Sequence, residues 1–151
     1  MIVVSEIVDL DIQIIRFSDV VDFRQLKELA RAHVANTAWA SSDVIHFFDE
    51  SAALASIRNA HVDLLRHHYR ELYRGLDLIV LRRAGWVCCT APQWRLVEYF
   101  LRERHALDGQ ATELMMASDL TGLYPLFGHD ELNDVASAPG IELFRTGCGG
   151  D

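Results

Sequence analysis

Apolar positions along the chain fall into short β-branched runs, separated by longer stretches in which they recur every three or four residues. That alternation predicts an α/β domain. Ile2 to Ile7 and Ile12 to Phe17 read as two strands joined by a tight hairpin at Asp9-Leu10-Asp11. In the second strand Ile12, Ile14 and Arg16 point one way and Gln13, Ile15 and Phe17 the other. A strand apolar on both sides predicts a sheet covered on both faces. Asp22, with Gln25 three residues on, opens a first helix from about Phe23 to Asn36, with Leu26, Leu29, Ala30, His33 and Val34 at helical spacing. Thr37 to Ser42 is a polar connection whose Trp39 is expected to cap the core edge.

Val44 to Phe48 is the next strand, and it runs into the polar turn Asp49-Glu50-Ser51. In α/β domains such a turn, at the carboxyl end of a strand, is where ligands and partners usually meet. Ser56 is expected to cap a second helix in which Ile57, Ala60, Leu64, Leu65, His68 and Leu72 trace one stripe, ending near Gly75. Beyond it two strand-like runs, Leu78 to Leu81 and Trp86 to Cys89, are interrupted by Arg82-Arg83-Ala84-Gly85. A long bent strand or a connector followed by a short strand both fit. The second run is favoured as the core strand, with Gly85 as a bulge or bend. Thr90, Pro92 and Gln93 start a third helix carrying Trp94, Val97, Phe100 and Leu101 and ending at Gly109. Thr112 to Ala117 makes the last strand. Ser118 or Asp119 caps a short helix through Leu120, Leu123 and Tyr124, with Pro125 in its last turn and Gly128 closing it. From His129 onward the pattern thins, although Ile141 to Phe144 is expected to dock on the body. The prediction is one α/β domain over residues 1–145, a single mixed sheet of about five strands with about four helices packed on it, and a flexible tail over residues 146–151.

The length of 151 residues suits one core. No apolar stretch approaches the roughly 20 residues of a membrane helix, and the first residues lack the features of a secretory signal. A soluble, cytoplasmic protein is expected. Fourteen basic against 22 acidic residues give a net charge of −8, which opposes nonspecific binding to nucleic acid or anionic membranes. The local basic set Arg66, Arg70, Arg74, Arg82 and Arg83 reads as a solvated helix face. Cys88, Cys89 and Cys148 form no zinc spacing, and reduced thiols are expected.

The order hairpin, helix, strand, helix, strand, helix, strand, helix resembles the STAS-like domains typified by anti-sigma-factor antagonists, and more closely their divergent bacterial branch. Four stretches carry the resemblance: Ile14-Ile15-Arg16-Phe17-Ser18-Asp19-Val20-Val21 entering the first helix, Asp49-Glu50-Ser51, Ala84-Gly85-Trp86-Val87, and Leu126-Phe127-Gly128. It spans about Ile2 to Gly128. It implies a regulatory partner protein and no catalysis. Phosphorylated members carry an Asp-Ser-Ser-Gly type turn opening the helix after the central strand, whereas this chain reads Leu54-Ala55-Ser56-Ile57-Arg58. The phospho-switch is therefore not carried over. Ser51 and Ser56 are the positions where a phosphate would find a helix N-terminus, and capping is the simpler role for Ser56.

Chemistry is sparse. His61, His67 and His68 do not have the three- or four-residue spacing of helical metal ligands, and no metal or cofactor is expected. His46 alternates with Ile45 and Phe47, so it is either a buried, hydrogen-bonded histidine or one lining a cleft beneath a helix. Cys89 ends a strand before a helix whose N-terminus would lower its pKa, and catalysis would require a base such as His46 to converge on it. The carboxylate pairs Asp49-Glu50 and Asp130-Glu131 fall on predicted loops. Trp39, Phe47, Phe48, Trp86, Trp94, Phe100, Met115 and Met116 sit at core spacing, and an excess facing a cleft would make an apolar pocket. The expected function is a noncatalytic protein–protein interaction module acting through Asp49, Glu50, Ser51, Ser56 and His46. The alternative is a domain binding a small apolar ligand or lipid. A homodimer through exposed helix faces or an edge hairpin is also plausible.

Overall fold

The computed structural model describes residues 1–74, 82–102 and 112–147. Its elements are β1 (Ile2–Ile7), β2 (Ile12–Phe17), α1 (Phe23–Ala35), β3 (Asp43–Phe48), α2 (Asn59–Arg74), β4 (Arg82–Cys88), α3 (Ala91–Leu101), β5 (Thr112–Ala117), α4 (Tyr124–Phe127), α5 (His129–Ser137) and β6 (Ile141–Arg145). The six strands form one mixed sheet in the order β5-β4-β3-β2-β1-β6. β2 through β5 are parallel neighbours, while β1 is antiparallel to both β2 and β6. This is the expected α/β class with one strand and one helix more than predicted.

Both faces of the sheet are covered, as the apolar β2 required. The successive crossovers β2-α1-β3, β3-α2-β4 and β4-α3-β5 lay three helices on one face. There Leu29, Val62 and Val97 pack on Ile15, Phe17, Val44, Phe48 and Trp86. On the other face Leu123, Phe127, Leu132 and Val135 cover Ile45 and Val87. The capping boxes read from sequence are both formed: Asp22 accepts from the Gln25 N–H at 2.8 Å, and Thr90 closes the same reciprocal pair with Gln93.

Several expectations need correction. Arg82-Arg83-Ala84-Gly85 is strand, not an interruption. It pairs in register with β3 and β5 because each arginine finds its own use on one face. Gly85 is not a bulge: a Cβ there would lie 2.6 Å from Leu123 Cδ1 and 3.1 Å from Phe127 Cε2, so it is the thin spot that lets the α4 turn reach the sheet. Ser56 does not cap α2. Ile57 is pulled into the core by a turn onto the Leu54 carbonyl (2.9 Å), and the helix starts at Asn59, leaving Ser56 exposed. With that start, the face turned inward carries Val62, Leu65 and Tyr69, while Leu64 is 58% exposed. The face turned to the sheet is thus the one that carries the hydrogen-bonding Tyr69, which the stripe expected from hydrophobic spacing did not include.

Pro125 opens α4 rather than ending it. Asp119 does cap the turn before it, accepting from the Gly122 N–H at 2.8 Å. Asp130 and Glu131 lie in the first turn of α5, an element whose apolar content was too thin to predict. The hairpin β1–β2 is not a sheet edge, because Ile141 to Arg145 pairs with β1 as β6. The ordered body extends past residue 145: Thr146 is fully buried and exchanges backbone and hydroxyl hydrogen bonds with Ile2 at 2.9 Å. Leu78 to Leu81, Gly75, Gly109 and Cys148 lie outside the described residues.

Candidate functional site

A partly open cavity of about 90 Å³ lies between the sheet and the three helices on its first face. Its floor comes from alternate residues of three parallel strands: Phe17 on β2, His46 and Phe48 on β3, Ala84 and Trp86 on β4. The period of two puts all of them on one side of the sheet. Four of their rings lie nearly parallel. Phe17 stacks on Phe48 at 4.2 Å and 7°, and His46 on Trp86 at 3.6 Å and 5°. Leu26, Leu29 and His33 of α1, Val62, Leu65 and Tyr69 of α2, and Leu96, Val97 and Phe100 of α3 complete the wall with Leu54, Ile57 and Arg82. Ala84 makes the depression, as a small residue between two large ones on the same face of β4.

Of the two alternatives set for His46, the structure gives the cleft: it lines the cavity and is half-buried rather than buried, with its Nδ1 3.3 Å from the Gly85 carbonyl oxygen. Three polar wall groups had no functional signal in the sequence: Arg82, His33 and Tyr69. Arg82 is only 8% exposed. His33 has its Nδ1 3.0 Å from the Leu29 carbonyl oxygen and 3.1 Å from the Tyr69 hydroxyl. Burial, reinforced by the Arg82 charge and only partly offset by the Leu29 carbonyl, lowers the His33 pKa to about 4.

The turn that closes one side of the cavity is the predicted loop after β3, and its backbone is bolted down from below. Gln93, 1% exposed, accepts from the Cys89 and Thr90 N–H groups at 2.9 and 3.1 Å. It donates to the Asp49 and Ala52 carbonyls at 2.8 and 3.1 Å. Asp49 pairs with Arg16 at 2.8 Å, and the Ser51 hydroxyl accepts from the Asp19 N–H at 3.3 Å, where Asp19 holds a left-handed φ of 55°. Glu50, Ser51 and Ser56 present their side chains to solvent. The sequence identified this loop but not the glutamine beneath it. The signal was present, since a capping-box Gln also has an NH₂ group that needs acceptors once buried.

Catalytic chemistry gains nothing from the geometry. Cys89 stands beyond the end of β4, whereas His46 pairs with Trp86 three residues earlier. Cys89 is exposed, and its thiol is pushed up rather than down, by partial desolvation first and then by the Glu50, Asp49 and Asp119 carboxylates. Buried Cys88 is pushed up to about 12. Among the described residues no three His, Cys, Asp or Glu side chains converge as a metal site. The basic set is not one solvated face either. Arg66 caps the carbonyls of Tyr99 and Phe100 at the end of α3, and Arg83 bridges Asp43 (2.6 Å) and Glu131 (2.8 Å) on the opposite sheet face from Arg82. No described helix is long and apolar enough to cross a membrane.

Compared with known proteins, the chain matches no family model, no curated protein and no solved structure.

Proposed function

We propose that this chain is a noncatalytic binding domain that holds a small apolar molecule between the sheet and helices α1 to α3. The observation that carries the reading is the cavity itself, walled by leucines, isoleucine, valines and aromatic rings on a rigid parallel sheet. An apolar cavity of roughly 150 Å³ takes up benzene; this one, at about 90 Å³ and partly open, leaves no room for a whole acyl chain, and a ring entering it would reach toward the open side. The test is a titration of the protein with toluene, followed by NMR. Shifts of the Trp86 indole and of the Leu96 and Val97 methyls, abolished when Ala84→Leu fills the depression, support the reading. No shift at millimolar toluene overturns it.

A second reading is favoured by the loop. Its backbone is fixed by Gln93 while Glu50, Ser51 and Ser56 point outward, an arrangement suited to a partner protein in a regulatory pathway of the STAS-like type. Leu54 and Ile57 of the same segment line the cavity, so ligand occupancy and partner binding share a structural element. A photo-crosslinker at Glu50 or Ser56 is expected to capture one discrete partner in cells, while the same group at exposed Val34 on α1 does not; equal capture at all three positions removes the loop from consideration. A phosphate on Ser51 would sit among Asp49, Glu50 and Asp19, which disfavours it. A homodimer would use the edge strand β6, which exposes Ile141 and Leu143 at 59% and 38%. Sedimentation of the Ile141→Lys variant as a monomer, against a dimer for the unmodified chain, would establish that contact.

A further inference from the structure

Four aromatic rings stand on the cavity side of the central strands, and the way they stack fixes how they are turned. Phe17 and Phe48 are register partners on β2 and β3, and His46 and Trp86 are register partners on β3 and β4. The two pairs have ring centres 4.2 and 3.6 Å apart and interplanar angles of 7° and 5°. Neighbouring strands lie about 4.8 Å apart, so each pair is stacked along the direction that runs from strand to strand. The ring normals therefore lie close to the plane of the sheet, and the rings stand upright on it. The pairs are also aligned with each other, at 23° between Phe17 and His46 and 19° between Phe48 and Trp86. Within each pair the facing π-surfaces cover one another, so the floor turns ring edges toward the helices. The free edges of Phe17 and Phe48 are C–H groups and those of the Trp86 indole are C–H and N–H, so the polarity is the same whichever edge is uppermost. An aromatic ring is negative on its faces and positive at its edge. The floor is thus a row of weakly positive edges, and a guest in the depression over Ala84 meets the Trp86 edge along the strand as well.

We infer that the ligand of this cavity is a single electron-rich benzenoid ring, seated with one π-face across the upright ring edges of the floor. The inference rests on the cavity being an apolar ligand site, as proposed above. A saturated ring or branched alkane fills space over the floor but offers no negative face to it. An electron-poor ring, such as a quinone or a polyfluorinated ring, sets a positive face against positive edges. An electron-rich ring makes the edge-to-face arrangement that aromatic pairs prefer, and one such contact is worth roughly two- to tenfold in affinity beyond the area it buries. The protein already uses this geometry at the same place: Phe100 of α3 meets Trp86 tilted by 56° at 5.7 Å rather than stacked on it. At about 90 Å³ and partly open, the cavity limits the guest to one ring, with any substituent directed to the open side.

The experiment is a titration of the full chain with toluene, symmetric trifluorobenzene and hexafluorobenzene at pH 7, followed by calorimetry and by NMR of the Phe48 and Trp86 ring protons. Toluene and hexafluorobenzene are similar in bulk and hydrophobicity but opposite in ring polarity, and trifluorobenzene lies between them in polarity. Toluene is expected to bind at least twofold more tightly than hexafluorobenzene, with trifluorobenzene intermediate. Bound toluene is expected to move the Phe48 and Trp86 edge protons upfield, because protons that point into the face of a ring are shielded by its ring current. Phe48→Leu, which removes one of the upright edges, is expected at least to halve the ratio of the toluene and hexafluorobenzene affinities. The comparison among probes on the unmodified protein stands even where that variant fails to fold. A ratio below twofold, or tighter binding of hexafluorobenzene, overturns the assignment of ring type and leaves the cavity as a ligand site. Downfield shifts of the edge protons with toluene bound overturn it as well, by showing that the guest lies edge-on. Binding of none of the three at millimolar concentration overturns the cavity reading and this inference together.

Discussion

Gln93 shows how one side chain carries a site it never touches. Its carbonyl oxygen closes the N-terminus of α3 and its amide holds two carbonyls of the loop after β3, so all its hydrogen-bonding capacity lies between two elements. Gln93→Glu keeps the shape but replaces the two donors with an acceptor facing the Asp49 and Ala52 carbonyls. The expected loss is about 2–4 kcal/mol, since two buried acceptors go unmet; urea unfolding would measure it, and a loss below 1 kcal/mol would show that the loop is not anchored there. The residue Cys89 tells the opposite story. It has the sequence position of an activated thiol, but partial desolvation and then the neighbouring Glu50, Asp49 and Asp119 carboxylates favour the protonated form. Iodoacetamide at pH 7 is therefore expected to alkylate Cys89 no faster than a free model thiol, measured by mass spectrometry on the folded protein, and a faster rate would reopen nucleophilic chemistry.

At the scale of elements, Arg83 fastens α5 to the sheet. Its guanidinium joins Asp43 at the start of β3 to Glu131 in the first turn of α5 and lies 4.6 Å from the Phe127 ring centre. Replacing it by leucine leaves two half-buried carboxylates without their partner, at a cost of about 2 kcal/mol. Hydrogen exchange is expected to quicken at Leu132 and Val135 while β3 and β4 stay protected; uniform quickening would mean that α5 is not a separate unit. This clamp also explains which elements were legible. β1, β2, β5 and the openings of α1 and α3 were read correctly because their signals are local: alternation, and a cap with its glutamine three residues on. β4 was cut short because Arg82 and Arg83 look like an interruption until Asp43 and Glu131 are known to face one of them and the cavity the other. α5 was missed because two apolar residues, Leu132 and Val135, do not make a pattern. The face of α2 was misread because its tyrosine and arginine make polar contacts across the interface, which periodicity in hydrophobicity alone does not weigh. The same limit applies to the site. Its aromatic floor was visible as period-two alternation on the central strands, but the wall groups Arg82, His33 and Tyr69 come from three elements that meet only in the fold.

For the molecule as a whole, the cavity ties stability to pH through His33. The folded-state pKa of about 4 lies below the ordinary 6.5, with burial as the first cause and the Arg82 charge as the second. Between those two values the unfolded chain binds a proton that the folded chain does not. Stability from this group is therefore complete above about pH 6.5, falls as the pH drops, and is lost once the pH passes through about 4. The shift sets an upper limit of about 3 kcal/mol on the effect. Seven histidines contribute to the total acid response, so the diagnostic quantity is a difference: His33→Leu is expected to be less stable than the unmodified protein at pH 7.5 and to have a shallower loss of stability between pH 6.5 and 4.5, measured by urea unfolding at each pH. A parallel pair of curves would show that His33 is not held neutral.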